Sequence, residues 1–543
     1  MKKTFISAAA ILAFAATAHA DELTDIQAQA KQLREQNQAM TKRLADLEKR
    51  QKALETKPVA SNVNPVDSMA ADLPYKAAVK ARPPENDDMC WHGICLYGNF
   101  DMGIAYEQHG TPFNAMAGGP LNYAVEKASN GSYFGVGANQ MSTSFIGLRG
   151  KQEVADNLYA VFNLQTLFNP ATGANVNQIG GIAQNNGLGA NVQTLQWANS
   201  YGDSSKAGVM FNNVAYFGIS SPTYGTFTMG RQSALTSDLV VNYDALSGAN
   251  AFSMITFEGA TGGGGFTEDR IYDNSYEYRL NVGPVRLAGI AQLRNGGNSA
   301  TNNAFEGDIG FDYMGFSMDF VGGKIYDAQG IATTLSAAQM QQINAAGIGC
   351  SLGCVASVVS DNTTFAVAAK YTIGPWKLFG GYEHIQYANP DNPLVGVPNG
   401  AMAFMNGGYN VAFANNTFFG SDKVLQSFWV GAKYAVTANL DVMGSYYGYR
   451  QNSFVSPAGN PLGNCTTSIS PACSGAMDAV SLAMDWRFAR HFDFYAGVMY
   501  SQKQGGLANG YVLTATNLNA PATVNTFNRV SNYDPAVGLR YQF

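Results

Sequence analysis

Six cysteines are the residues whose spacing points most directly to chemistry, because they fall into three close pairs: Cys90 with Cys95, Cys350 with Cys354, and Cys465 with Cys473. An even count in local pairs predicts three loop-closing disulfides in an exported chain. Metal binding fits less well. No pair has the two-residue gap of a zinc knuckle, His92 is the only histidine close to any pair, and the Cys-x-x-Cys-His of haem attachment is absent. No metal or other cofactor is therefore expected. Catalysis is not suggested either: past residue 20 the histidines are His92, His109, His384 and His491, and spacing gathers no nucleophile, base and orienting group. The run Gly262 to Gly265 lacks the Lys-Ser/Thr that completes a phosphate loop, which leaves it a flexible segment. A net charge of -6 and a pI near 5.5 provide no basic stripe for a nucleic-acid partner.

The elements that must carry any function are strands. From about Leu96 to Phe543, apolar and aromatic side chains alternate with small or polar ones. Val480, Leu482, Met484, Trp486 and Phe488 interleave with Ala479, Ser481, Ala483, Asp485 and Arg487; Phe365, Val367, Ala369, Tyr371 and Ile373 do the same. One face suits lipid and the other suits water. Such segments match the roughly 9 to 11 residues of a membrane strand. About sixteen of them are found, an even number as bacterial barrels require. They begin near Leu96, Ser144, Asn157, Val209, Gly225, Ser275, Val285, Glu306, Phe316, Thr363, Trp376, Val424, Leu440, Met477, Phe492 and Tyr533. Short connections at Ala155-Asp156, Ser221 to Tyr224, Val282-Gly283-Pro284, Met314-Gly315, Gly374-Pro375, Thr437-Ala438-Asn439 and Ala489-Arg490 alternate with long loops rich in Gly, Asn and Ala. That alternation is the pattern of a closed barrel with short turns at one end and long loops at the other. A closed barrel is also the only form in which a chain without a spanning helix can cross lipid. The fold class expected is all-β: a transmembrane antiparallel barrel over residues 90–543.

Three segments precede it. Met1-Lys2-Lys3, an apolar run from Phe5 to about Thr17 and the small-residue site Ala18-His19-Ala20 have the layout of a signal peptide over residues 1–20. Residues 21–56 hold heptads, with Leu23, Ala30, Asn37, Leu44 and Gln51 at a positions and Ile26, Leu33, Met40, Leu47 and Leu54 at d positions. This predicts an α-helical coiled coil, favoured over a lone amphipathic helix because the other positions are almost all charged or amide. Pro58, Pro65, Pro74, Pro83 and Pro84 then mark a linker over residues 57–89.

The order of short motifs resembles the general porins of Gram-negative bacteria, specifically the trimeric type of beta-proteobacteria. Leu96 to Asp101, Ile146 to Lys151 and Ala160 to Leu164 are similar to the first three strands of that family. Tyr224 to Gln232 and Asp273 to Ser275 with Tyr278 resemble the strands flanking its pore loop, and Val537 to Phe543 resembles its closing strand. The match spans roughly residues 96 to 543, leaving the coiled coil and linker outside. The resemblance implies a water-filled channel for passive diffusion of small hydrophilic solutes and ions, surrounded by outer-membrane lipid and assembled as a homotrimer, with the coiled coil in the periplasm. It also implies that Ser233 to Asp273 folds into the pore as a constriction loop. That loop supplies Asp238, Asp244, Glu258 and Glu268, facing a lumen on which period two places Arg149, Lys151, Arg279, Arg286, Lys370, Lys377, Lys433 and Arg540. Phe145, Gln165, Asn213 and Gln542 stand where the family commonly carries charged or amide residues, so no ion preference carries over. A solute-specific channel, or a tether using the coiled coil to hold peptidoglycan or another envelope component, are the alternatives.

Overall fold

In a computed structural model, the described residues are Lys31, 89–108, 132–176, 210–255, 271–293, 303–334, 354–391, 404–406, 409–416, 422–453, 474–505, 507 and 529–543. The expected signal peptide, coiled coil and most of the linker lie outside them, apart from the helical Lys31. Twenty strands form one sheet among these residues. In chain order they are β1 (Met89–Trp91), β2 (Ile94–Glu107), β3 (Tyr133–Ala138), β4 (Phe145–Ala155), β5 (Leu158–Leu167), β6 (Ala215–Ser221) and β7 (Gly225–Ser233). After the helix α1 (Leu235–Tyr243) come β8 (Ile271–Val282), β9 (Val285–Gln292), β10 (Ala304–Tyr313), β11 (Phe316–Thr334), β12 (Cys354–Ile373) and β13 (Trp376–Ala388). The last are β14 (Phe404–Asn406), β15 (Tyr409–Asn416), β16 (Lys423–Thr437), β17 (Leu440–Gln451), β18 (Gly475–Ala489), β19 (Phe492–Gly505) and β20 (Arg529–Gln542).

The wall is a closed sixteen-strand antiparallel barrel. β3 and β4 both pair with β2, one above the other, and so act as two halves of a single wall strand. β14 and β15 form a hairpin outside the ring, with β15 parallel to the first part of β12. The ring shuts where β20 pairs with β2, and the Gly98 and Phe543 main chains exchange hydrogen bonds of 2.9 and 3.0 Å. The turn between β10 and β11 obeys a local steric need. Met314 (φ 46°) and Gly315 (φ 83°) make a two-residue turn with both residues left-handed, a twist that matches the flanking strands.

The faces follow the predicted phase. Val480 and Leu482 are 54% and 58% exposed, whereas Ala479 and Ser481, which alternate with them, are 1% and 2% exposed. Inside a wall bathed in lipid, those outward side chains meet hydrocarbon and the inward ones meet the lumen.

All sixteen expected wall segments are present, with differences in detail: β3 is an additional piece of the second wall strand, and β8 and β20 begin four residues early, at Ile271 and Arg529. β6 starts at Ala215 rather than near Val209, because the Asn212 side chain bonds both the N–H and the C=O of Leu167 and substitutes for strand pairing there. β12 starts at Cys354, nine residues before the expected point, since β15 pairs with that extension. Met89 belongs to β1 and not to the linker. Of the three expected disulfides, Cys90–Cys95 is present, while Cys350, Cys465 and Cys473 lie outside the described residues.

A Cβ on Gly98 would lie 2.4 Å from the Phe145 carbonyl oxygen and 2.8 Å from Phe543 Cζ. Gly98→Val should therefore loosen the seam by about 1–3 kcal/mol. Gel electrophoresis after graded heating should show its folded band disappearing at a lower temperature than the parent's; an unchanged transition would contradict a tightly packed seam.

Candidate pore constriction

The feature that narrows the barrel begins with α1, which lies inside the wall against β9 to β13. Nine residues with no side-chain cap at Ala234 would make a weak helix alone. The wall supplies the missing partners. Glu306 on β10 accepts hydrogen bonds from the backbone N–H groups of Leu235 and Thr236 and from the Thr236 hydroxyl at 2.8 Å. A carboxylate at a helix N-terminus satisfies orphan donors and complements the helix dipole. At the other end, Lys370 Nζ donates to the Asn242 carbonyl at 3.2 Å and Trp429 Nε1 to the Tyr243 carbonyl at 2.9 Å. A cation thus sits at the negative end of the same dipole.

Beyond the helix the loop stays on the wall. Asp244 accepts from Tyr447 at 2.7 Å, from Ser445 at 3.3 Å and from its own loop's Gly248 N–H at 2.9 Å. Tyr449 donates to the Met254 carbonyl. Across the lumen, Asn250 and the Ala251 N–H donate to the carbonyls of Asn139 and Gln140 at 2.7 and 2.8 Å. Leu235, Leu239, Val240, Leu246, Phe252 and Met254 bury their apolar surface against wall residues including Ile385, Trp429, Met443 and Tyr495. One side of the lumen is consequently a packed core.

The expected charges resolve into local clusters. Asp238 of α1 meets Arg279 of β8 at 2.6 Å, and Arg279 also pairs with Glu277. Arg286 lies between Asp312 and Asp319 and donates to the Tyr243 hydroxyl at 3.0 Å. Near the seam, Arg540 is 1% exposed and bonds Asp493 at 2.7 Å, with Asp485 at 3.5 Å. Arg149 lies over the Tyr97 ring and Lys151 over Tyr159, with the cations 4.8 and 4.0 Å from the ring centroids. Asp238 and Arg279 are thus brought together, while Arg540 belongs to a cluster of its own and Asp244 serves as a loop clamp. Glu258 and Glu268 lie outside the described residues. The anchors Glu306, Tyr447 and Tyr449 did not stand out in sequence. Their lumen phase was readable, but nothing local marks a wall residue as the cap of a distant helix.

With this geometry in view, the family is plain. Residues 7–506 match the Gram-negative porin family, and the chain belongs to it. Its fold resembles an anion-selective porin from Comamonas acidovorans at 16% identity, covering 83% of this chain and 99% of that one with a TM-score of 0.49. It also resembles the trimer form of OmpT, an outer membrane protein of Vibrio cholerae, at 13% identity, 83% and 99% coverage and a TM-score of 0.48. Salmonella typhi OmpF, solved with daunomycin, is similar at 14% identity, 83% and 97% coverage and a TM-score of 0.42. No curated protein matches the sequence. The chain is an outer-membrane porin, a channel rather than a recognisable catalyst.

Two outcomes test the anchoring. Glu306→Ala leaves the α1 N–H groups of Leu235 and Thr236 without their acceptor, a loss of about 1–3 kcal/mol. Single-channel records should show frequent brief closures, and a trace as quiet as the parent's would contradict the anchor. Burial raises the Asp244 carboxyl above its ordinary value, with the N–H and O–H donors around it opposing the rise. A carboxyl raised on folding stabilises its surroundings fully below its unfolded value of about 4, and that contribution is lost as pH climbs through the raised value. Amide exchange across residues 244–254 should accordingly quicken from acid to neutral pH, beyond the intrinsic rate, more in the parent than in Asp244→Asn.

Proposed function

We propose that the barrel mediates passive diffusion of small hydrophilic solutes and ions through a water-filled lumen, with residues Ser233 to Asp273 forming its constriction. The carrying observation is α1 held inside the wall at both ends, by Glu306 on one side and by Lys370 and Trp429 on the other. A loop fixed in this way narrows the bore without closing it. We assign Asp238 and Glu258 to the acid side of the constriction and Arg149, Lys151 and Arg279 to its basic side, while Asp244 and Arg540, buried among their own partners, hold the loop and the wall. Opposed charges of this kind orient water and permeating solute.

Nonspecific passage is favoured over a dedicated sugar or organic-acid channel by the state of the lumen aromatics. Trp429 and Tyr495 are buried under the loop, and Tyr97 bonds Asn163 and Gln165 within the wall. None of these three offers its ring as a stacking platform along the path. The heptads of residues 21–56 support a homotrimer and a periplasmic stalk behind a cleaved leader of residues 1–20. A stalk of that kind would hold the pore to peptidoglycan or another envelope layer. Removing residues 21–88 separates the two roles, since the pore should still conduct while envelope attachment is lost.

Purified protein in planar bilayers should give stepwise conductance with closures in threes. In a salt gradient, Asp238→Asn should shift the reversal potential towards anions and Arg279→Gln towards cations. A protein that never conducts, or two variants that shift the potential the same way, would sink this reading.

A further inference from the structure

The hairpin ahead of the first full wall strand has no part in the constriction, yet it is cross-linked. β1 turns into β2 through His92 (φ 49°) and Gly93 (φ 82°), and pairs Met89 with Leu96, Cys90 with Cys95 and Trp91 with Ile94. Cys90 and Cys95 form a disulfide across the pair, with Cα atoms 4.0 Å apart. The position of β1 is specific. β20 pairs with β2 from Asn99 upward and Phe543 pairs with Gly98, so β1 takes up the same edge of β2 at residues 94–96, just below. Without β1, those backbone groups would form an open strand edge at the rim of the seam, where lipid cannot satisfy them.

The phase of β2 fixes which way the hairpin faces. Ile94 and Leu96 share the outward side with Phe100, Met102 and Ile104, so their partners Trp91 and Met89 point to lipid and the disulfide points to the lumen. Met89, Trp91 and Ile94 are 53%, 74% and 42% exposed, a continuation of the outward apolar face. Depth follows from register. Ile94 pairs with Gly150 of β4, whose outward residues are Ile146 and Leu148 above that point and Gln152 and the exposed Val154 below it, a mixed stretch one residue short of the Ala155–Asp156 turn. Trp91 therefore lies where hydrocarbon gives way to headgroups, the layer that an indole with one polar edge prefers. A hydrogen bond of 3.2 Å from the Lys151 N–H to the Gly93 carbonyl ties the turn to β4 as well. Three residue pairs alone make a marginal hairpin, so the disulfide is what keeps the aromatic in place.

We propose that the Cys90–Cys95 hairpin is a covalently locked interfacial anchor that seals the foot of the barrel seam and inserts Trp91, with Met89 and Ile94, into the headgroup layer of the periplasmic leaflet. The full chain, reconstituted in phosphatidylcholine vesicles, tests this with lipids spin-labelled at the headgroup or at mid-chain. The emission that disappears in Trp91→Phe reports on the one ring. The headgroup label should quench it more strongly than the mid-chain label, and reducing the folded protein, or introducing Cys90→Ser with Cys95→Ser, should lower that quenching several-fold. Emission untouched by either label overturns the anchor, whether water, a second copy or residues 1–88 cover the ring. Stronger quenching at mid-chain overturns the assigned depth, and quenching unchanged by reduction overturns the role of the disulfide. Conductance measured on the same vesicles keeps these outcomes distinct from failure of the channel itself.

Discussion

The backbone of a chain crossing lipid must satisfy every N–H and C=O within itself, and the bonds between Gly98 and Phe543 are where that condition is completed. Once β20 meets β2, no strand of the wall has a free edge along the spanning region. Alternation then does the rest, because closure sends successive side chains to opposite media. Outward positions become apolar, and inward positions are free to be polar, charged or small. The seam depends on glycine where chains approach closely, as the crowding around Gly98 illustrates.

The lumen obeys a second condition, set by the first. A loop folded into a closed barrel carries backbone groups that must find partners away from bulk water, and here the wall supplies them residue by residue. Glu306 serves the start of α1, Lys370 and Trp429 its end, and Tyr447, Ser445 and Tyr449 the stretch that follows. Buried apolar side chains add a non-directional contribution along the same surface. Arginines and carboxylates elsewhere on the wall pair with close neighbours, as Arg286 does with Asp312 and Asp319. Much of the fixed charge is therefore compensated locally, and selectivity hinges on the pairs nearest the loop, Asp238 with Arg279 above all.

The barrel was legible because period two, turn chemistry and the short-long alternation of connections are local signals that closure requires together. Even the less regular segments at Gly225 and Glu306 are wall strands beginning at Gly225 and Ala304. The helix inside the pore was not legible. Leu235 to Tyr243 lacks a capping side chain of its own, and its caps come from Glu306 and Lys370, far along the chain. The displaced starts of β6 and β12 have the same origin, since Asn212 and β15 act through tertiary contacts that no window of sequence contains. Of the candidate charges, phase singles out Arg279 and Arg540, but only the fold reveals that Asp238 pairs with the first and Asp493 with the second.

In the proposed channel, the anchored loop sets the bore of the barrel. Ser233 and Ile271 are direct partners in the β7–β8 ladder, so residues between them can be replaced by a tight turn without stretching either strand. The decisive measurement is single-channel conductance in the presence of polyethylene glycols of rising size, on the parent and on such a loop-replaced variant. The variant should conduct more and admit larger polymers than the parent. An identical polymer cut-off in the two proteins would contradict that role of the loop.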